Sequence, residues 1–124
     1  MTTAYWCVLA AGLLPYLFVV ISKATGGRYD NRDPRAWQAR LSGMPARAHS
    51  AHLNSFEAFP LFAAAVIIAQ LSGAEQTRTD WLAIAFIALR LLYGAFYVAD
   101  WEKPRSLVWI AGLGCCIALF FGAR

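Results

Sequence analysis

Hydrophobic residues fall into four runs, at about 4–21, 58–71, 81–99 and 106–123, separated by polar connections. A membrane-crossing helix needs roughly 20 mostly apolar residues. Three of the runs reach that length nearly unaided. The run from Ala58 to Leu71 covers only about 21 Å at helical rise, against a hydrocarbon core of about 30 Å. To span, it has to extend backwards through Glu57, Ser55, Asn54 and His52. Polar groups thereby enter the membrane, where ionisable residues are functional candidates by default. The pattern predicts helices over about 3–22, 46–71, 80–100 and 105–122, with a polar connection at 23–45.

Composition narrows the class. Of 124 residues, 60% are hydrophobic and 15% charged, where a soluble domain is nearer half and a quarter. A water-soluble domain this small cannot hide so much apolar surface. The expected fold is an all-α membrane protein, a single four-transmembrane-helix bundle over residues 1–124.

Charge placement gives the orientation. Lys23, Arg28, Arg32, Arg35, Arg40 and Arg47 lie between the first two spans, and Lys103 and Arg105 between the last two. With four spans these two basic segments share a side. By the positive-inside rule that side is cytoplasmic, with both termini outside the cytoplasm. The first run lacks a preceding basic residue and a clear cleavage site, so it is expected to stay as a helix, with Pro15 tolerated inside it. A bacterial inner membrane is favoured, because no eukaryotic retrieval signal ends the chain at Gly122-Ala-Arg124.

The connection 23–45 carries turn signals at Gly26-Gly27, Asp33-Pro34 and Gly43-Met44-Pro45, with room for a short helix between Pro34 and Leu41. Its charge is explained by topology and anionic lipid, so no nucleic-acid partner is expected. Cys7, Cys115 and Cys116 fall inside helices without ligand spacing and read as packing residues. His49 and His52 are three apart, not the i, i+4 pair of a helical metal site, and no metal is expected. Tyr5, Trp6, Trp81, Trp101 and Trp109 read as interfacial anchors.

Two polar stripes remain. On the second span, taken to begin after Pro45, Arg47, Ser50, Asn54 and Glu57 fall at helical spacing on one face. On the third, Arg90, Tyr93, Tyr97 and Asp100 repeat that spacing. Arg90 lies about 15 Å from either end of its apolar run. An arginine at such depth costs about 2.5–3.5 kcal/mol on insertion scales, so it should face the bundle. Glu57, the only acidic residue inside another span, is the expected partner, either for function or to tie the bundle together. Tyr93 and Tyr97 are equally readable as packing residues with satisfied hydroxyls. With Arg105 these groups would line one cavity opening to the basic side. Guanidiniums, a carboxylate, an amide and phenols suit a small zwitterionic or anionic ligand, since arginine forks grip carboxylates.

The stretch Arg47-Ala-His-Ser-Ala-His-Leu-Asn54-Ser-Phe-Glu57, followed by Pro60, resembles the second-helix signature of the MAPEG superfamily, membrane-associated proteins in eicosanoid and glutathione metabolism. Arg90-Leu-Leu-Tyr93-Gly-Ala-Phe-Tyr97, with Arg105 beyond it, is similar to the family pattern there too. The resemblance covers nearly the whole chain. It implies a homotrimer of four-helix bundles with glutathione, as co-substrate, between subunits near the cytoplasmic side. It implies that Asn54 and Glu57 bind glutathione, with Glu57 facing the amino group. Arg90, Tyr93 and Tyr97 would surround the tripeptide, and Arg105 would stabilise its thiolate. Many glutathione-using members carry arginine where this chain has Ser50; Arg47, one turn earlier, is the residue that would reach the same carboxylate.

The resulting expectation is a membrane glutathione transferase or peroxidase acting on lipophilic small molecules that enter from the membrane lipid. Two alternatives stay open. One is a non-catalytic protein of the same fold that binds a lipid or a protein partner, an option that Ser50 feeds. The other is a small multidrug transporter, of similar length and span number. It is disfavoured because such transporters place their membrane glutamate in a first helix, and the first helix here has no charge.

Overall fold

A computed structural model describes residues 1–122; Ala123 and Arg124, on which the chain-end expectation falls, lie outside the described residues. The described residues form five helices: α1 (Thr3–Thr25), α2 (Pro34–Ala39), α3 (Gly43–Leu71), α4 (Gln76–Val98) and α5 (Glu102–Phe121). All but α2 are long and apolar enough to cross a membrane. They run up and down. α1 packs chiefly on α3, and α5 chiefly on α4, while α3 also meets α4 and α5.

The helices start and stop where local chemistry dictates, and this moves several expected boundaries. α4 begins at Gln76, not at 80, because Glu75 caps it: its carboxylate accepts from the backbone N–H groups of Arg78 (2.7 Å) and Thr77 (2.8 Å). Those two bonds hold the Glu75 carboxyl below the usual carboxylate range, with Arg78 the larger influence. α3 begins at Gly43, whose φ of +63° suits glycine, and Pro45 sits inside its first turn instead of before it. α5 likewise takes Pro104 into its first turn and begins at Glu102, not at 105.

The end of α4 changes the second stripe. Asp100 adopts φ +64°, and the backbone N–H of Trp101 returns to the carbonyl of Phe96 at 2.9 Å. This is a left-handed helix stop, which aspartate tolerates better than most residues. Asp100 therefore lies past the helix, exposed, and leaves the face it was expected to share with Tyr97.

Small residues set the packing. Ala4, Ala11, Ala65, Ala69 and Ala83 are buried around the stacked rings of Phe62 and Phe86, whose centroids are 4.0 Å apart. Without a hydrophobic drive between helices in lipid, such close approach supplies the dispersion that holds them. The Phe18 ring of α1 fills the space beside Gly94 of α4 that a Cβ would occupy. His52, buried, sets its Nδ1 2.9 Å from the Pro15 carbonyl oxygen and joins α3 to α1.

Side chains also close both ends of the bundle. At the end bearing the N-terminus, Asp80 accepts from the backbone N–H of Ala4 (2.8 Å) and from Gln76 (2.7 Å). At the basic end, the Ser22 hydroxyl donates to the Pro45 carbonyl (2.9 Å), and Arg47 Nε donates to the Val98 carbonyl (3.2 Å). The basic connections α1–α3 and α4–α5 thus share one end.

Candidate functional site

The polar residues of the two stripes meet inside the basic half of the bundle. Arg90 is buried, eight residues before the end of α4. That puts it about 12 Å from the basic end at helical rise, closer than the centred position its apolar run implied.

Its partner is not the expected one. Arg90 Nη2 donates to Asn54 Oδ1 at 2.8 Å, and Asn54 Nδ2 reaches Glu57 Oε2 at 3.5 Å. The amide stands between the two charges, so the predicted direct Glu57–Arg90 pair is replaced by a relay. Geometry explains this. Asn54 is one turn nearer the basic end than Glu57 on the same face of α3, level with an Arg90 that is itself displaced that way.

The relay continues through aromatic faces. The Arg90 guanidinium lies 4.2 Å from the centroid of the Tyr93 ring. Tyr93 meets Tyr97 edge-on at 5.6 Å, and the Arg105 guanidinium lies 4.3 Å from the Tyr97 centroid. Cations over aromatic faces gain from the ring quadrupole, more so when shielded from water. Glu57, Asn54, Arg90, Tyr93, Tyr97 and Arg105 therefore form one continuous string across α3, α4 and α5.

Arg47 is not in that string. It lies seven residues before Asn54 and is tied to the carbonyl of Val98, a favourable place for a cation at a helix C-terminus. Ser50 is half-buried between them. Of the two histidines, His52 serves packing, whereas His49 Nδ1 is buried and finds no hydrogen-bond partner among the described residues.

Two cavities flank the string. The inner one, about 180 Å³, is lined by Asn54 and Glu57 of α3, Phe86 and Arg90 of α4, and Trp109 and Gly112 of α5. The second, about 390 Å³, lies against Tyr93, Arg105, Ser106 and Trp109. Trp109 borders both. It was expected to be an interfacial anchor, yet it is seven residues inside α5, about 10 Å from that end. Arg105, Trp109, Gly112 and Cys116 fall at i, i+4, i+7 and i+11 on α5, a third stripe facing the site. Polarity does not mark it. The signal available in the sequence was its phase relative to Arg105.

Glu57 completes the picture. It sits at the midpoint of α3, fourteen residues from each end, yet is exposed on the single chain. An uncovered carboxylate at that depth of a span is costly. The arrangement as a whole offers a buried guanidinium, an amide and a carboxylate at one end, and an arginine over a phenol at the other.

The sequence model of the MAPEG family matches residues 3–124, essentially the whole chain, and the protein belongs to that family. Searches of curated proteins and of solved structures return no match.

Proposed function

We propose that this MAPEG-family protein binds glutathione in the basic half of its bundle and uses the thiolate against lipophilic electrophiles. The observation that carries the proposal is the continuous string from Glu57 to Arg105, with a cavity at each end. A cavity of about 180 Å³ is close to the size that admits a benzene ring. A tripeptide would therefore reach from the inner cavity past Trp109 into the second. Its ammonium would meet Glu57, its peptide groups Asn54, and its carboxylates Arg90 and the basic rim. Tyr93 and Tyr97 would donate or stack along its length.

The chemistry follows from charge. A thiol with a pKa near 8.5 is mostly protonated at neutral pH. A fixed guanidinium beside it favours the thiolate, which is the nucleophile. Arg105 would provide that charge without exchanging a proton. In transfer, sulfur attacks an electrophilic carbon and the leaving group departs with the bonding pair. In peroxide reduction, sulfur takes the terminal oxygen of a hydroperoxide and releases the alcohol. A second glutathione then converts the sulfenic acid to glutathione disulfide and water.

The exposed Glu57 supports an oligomer in which a neighbouring copy covers the α3 face, and we assign a homotrimer with glutathione between subunits. The basic end would face the cytoplasm, where glutathione is available, with both termini outside; a bacterial inner membrane fits.

One observation favours a second reading. Arg47 is committed to Val98, and Ser50 offers no guanidinium, so one carboxylate anchor is weak. A non-catalytic protein of the same fold that binds a lipid or protein partner would follow. Calorimetric titration of the detergent-solubilised protein with glutathione separates the two. Saturable binding that Glu57→Gln weakens supports the glutathione site, and no binding at millimolar glutathione favours the second reading.

A further inference from the structure

The α1–α3 connection, together with the helix ends that flank it, carries the entire formal excess charge of the protein. Between Lys23 and Arg47 there are six cations (Lys23, Arg28, Arg32, Arg35, Arg40, Arg47) against Asp30 and Asp33, a net +4, equal to the +4 of the whole chain. The rest of the sequence balances to zero.

Topology alone asks only for charge on that side and places no demand on its shape. Yet this segment is built. Trp37 of α2 is buried, and its indole N–H donates to the Arg28 carbonyl at 2.8 Å. The Tyr29 ring packs edge-on against Trp37 at 5.0 Å, and the Lys23 ammonium lies 4.2 Å from the Tyr29 centroid. Gly26 lets the chain fold back: a Cβ there would come within 2.8 Å of both Leu41 and Trp37. Both aspartates serve the backbone, Asp30 accepting from Arg32 N–H (3.0 Å) and Asp33 capping α2 through Ala36 N–H (3.2 Å).

The consequence is electrostatic. With the carboxylates turned to the backbone, Arg28, Arg32, Arg35 and Arg40 are exposed. Among the described residues the only side-chain hydrogen bond from these four guanidiniums runs from Arg35 to Gln38 (3.0 Å). Four guanidiniums on a fixed scaffold at the end of a membrane bundle match a layer of phosphate groups, which arginine grips bidentately. We propose that the α1–α3 connection is a docking platform for the phosphate headgroups of anionic lipids in the leaflet it borders.

The test uses the full-length protein reconstituted in phosphatidylcholine bilayers containing spin-labelled phosphatidylglycerol or spin-labelled phosphatidylcholine. The motionally restricted fraction gives the relative association of each lipid. One basic residue near an anionic surface contributes roughly fivefold, so the wild type should prefer phosphatidylglycerol by at least about that factor. High salt should reduce the preference through screening, a result that needs no variant. The combined variant Arg28→Gln, Arg32→Gln, Arg35→Gln, Arg40→Gln should bring it close to unity. Trp37→Ala, which keeps every charge and releases the scaffold, should lower it part of the way. No preference in the wild type, or an undiminished one in the fourfold variant, would overturn the proposal. Full retention in Trp37→Ala would overturn the claim that the scaffold matters.

Discussion

The two halves of the bundle are built by opposite rules. In the half toward the N-terminus, alanines from three helices close around the Phe62–Phe86 stack, and polar side chains are kept to the rim, where Asp80 and Glu75 satisfy helix starts. In the basic half, the same helices turn inward an arginine, an amide and two phenols, and leave cavities beside them. The first half does what membrane packing rewards, while the second keeps groups that lipid penalises. Residues that oppose stability in this way are where function is expected, and the difference makes the two halves separable by mutation.

The largest effect should come from the packed half. Leu119→Ala empties a fully buried position of that half which borders neither cavity and should cost about 2–5 kcal/mol of stability, read from thermal unfolding in detergent. Glutathione affinity of the fraction that remains folded should change little. A large affinity loss in folded protein would mean that the halves are coupled.

Arg90→Leu should show the reverse. It removes an intramembrane charge, so unfolding should move little or shift upward. Glutathione binding should fall by roughly tenfold to a hundredfold, the scale of about 1.5–3 kcal/mol for a hydrogen bond to a charged group. If stability collapses and the affinity of folded protein survives, Arg90 is a structural tie.

Glu57→Gln is the milder version. It keeps shape and hydrogen-bonding capacity while removing the charge, so affinity should drop by about tenfold, with no change in melting. Unchanged binding would assign Glu57 to the subunit interface alone. Arg47→Ala should have the smallest effect, about 0.5–1.5 kcal/mol of stability from its bond to Val98, and only a few-fold in binding. A loss as large as that of Arg90 would show that Arg47 takes the anchoring role which Ser50 cannot fill.

The two halves also differ in how far the sequence revealed them. The four spans and their alternation were legible because lipid demands length and hydropathy, and both are local properties. Glu75 was missed as the start of α4 because a polar capping turn precedes the apolar run and is invisible to hydropathy. Asp100 looked like the last member of a stripe because spacing assumes that a helix continues. Its left-handed conformation is set by the Trp101–Phe96 bond, which spacing does not encode. The membership of Asn54, Glu57, Arg90, Tyr93, Tyr97 and Arg105 on facing helices was readable from periodicity. The order of contact was not, because the relative height of α3 and α4 decides whether Glu57 or Asn54 meets Arg90. Trp109 escaped notice because an aromatic residue near a helix end has an ordinary role at the interface. Only the third dimension places it between the cavities.

The central claim is that the basic half holds a glutathione whose thiol Arg105 ionises. Ultraviolet difference spectroscopy of glutathione bound to the wild type and to Arg105→Ala, at neutral pH and saturating ligand, tests it most directly. A thiolate band in the wild type, lost in a variant that still binds the tripeptide, is the predicted result. Equal thiolate in both proteins, or none in a wild type that binds glutathione, would contradict it.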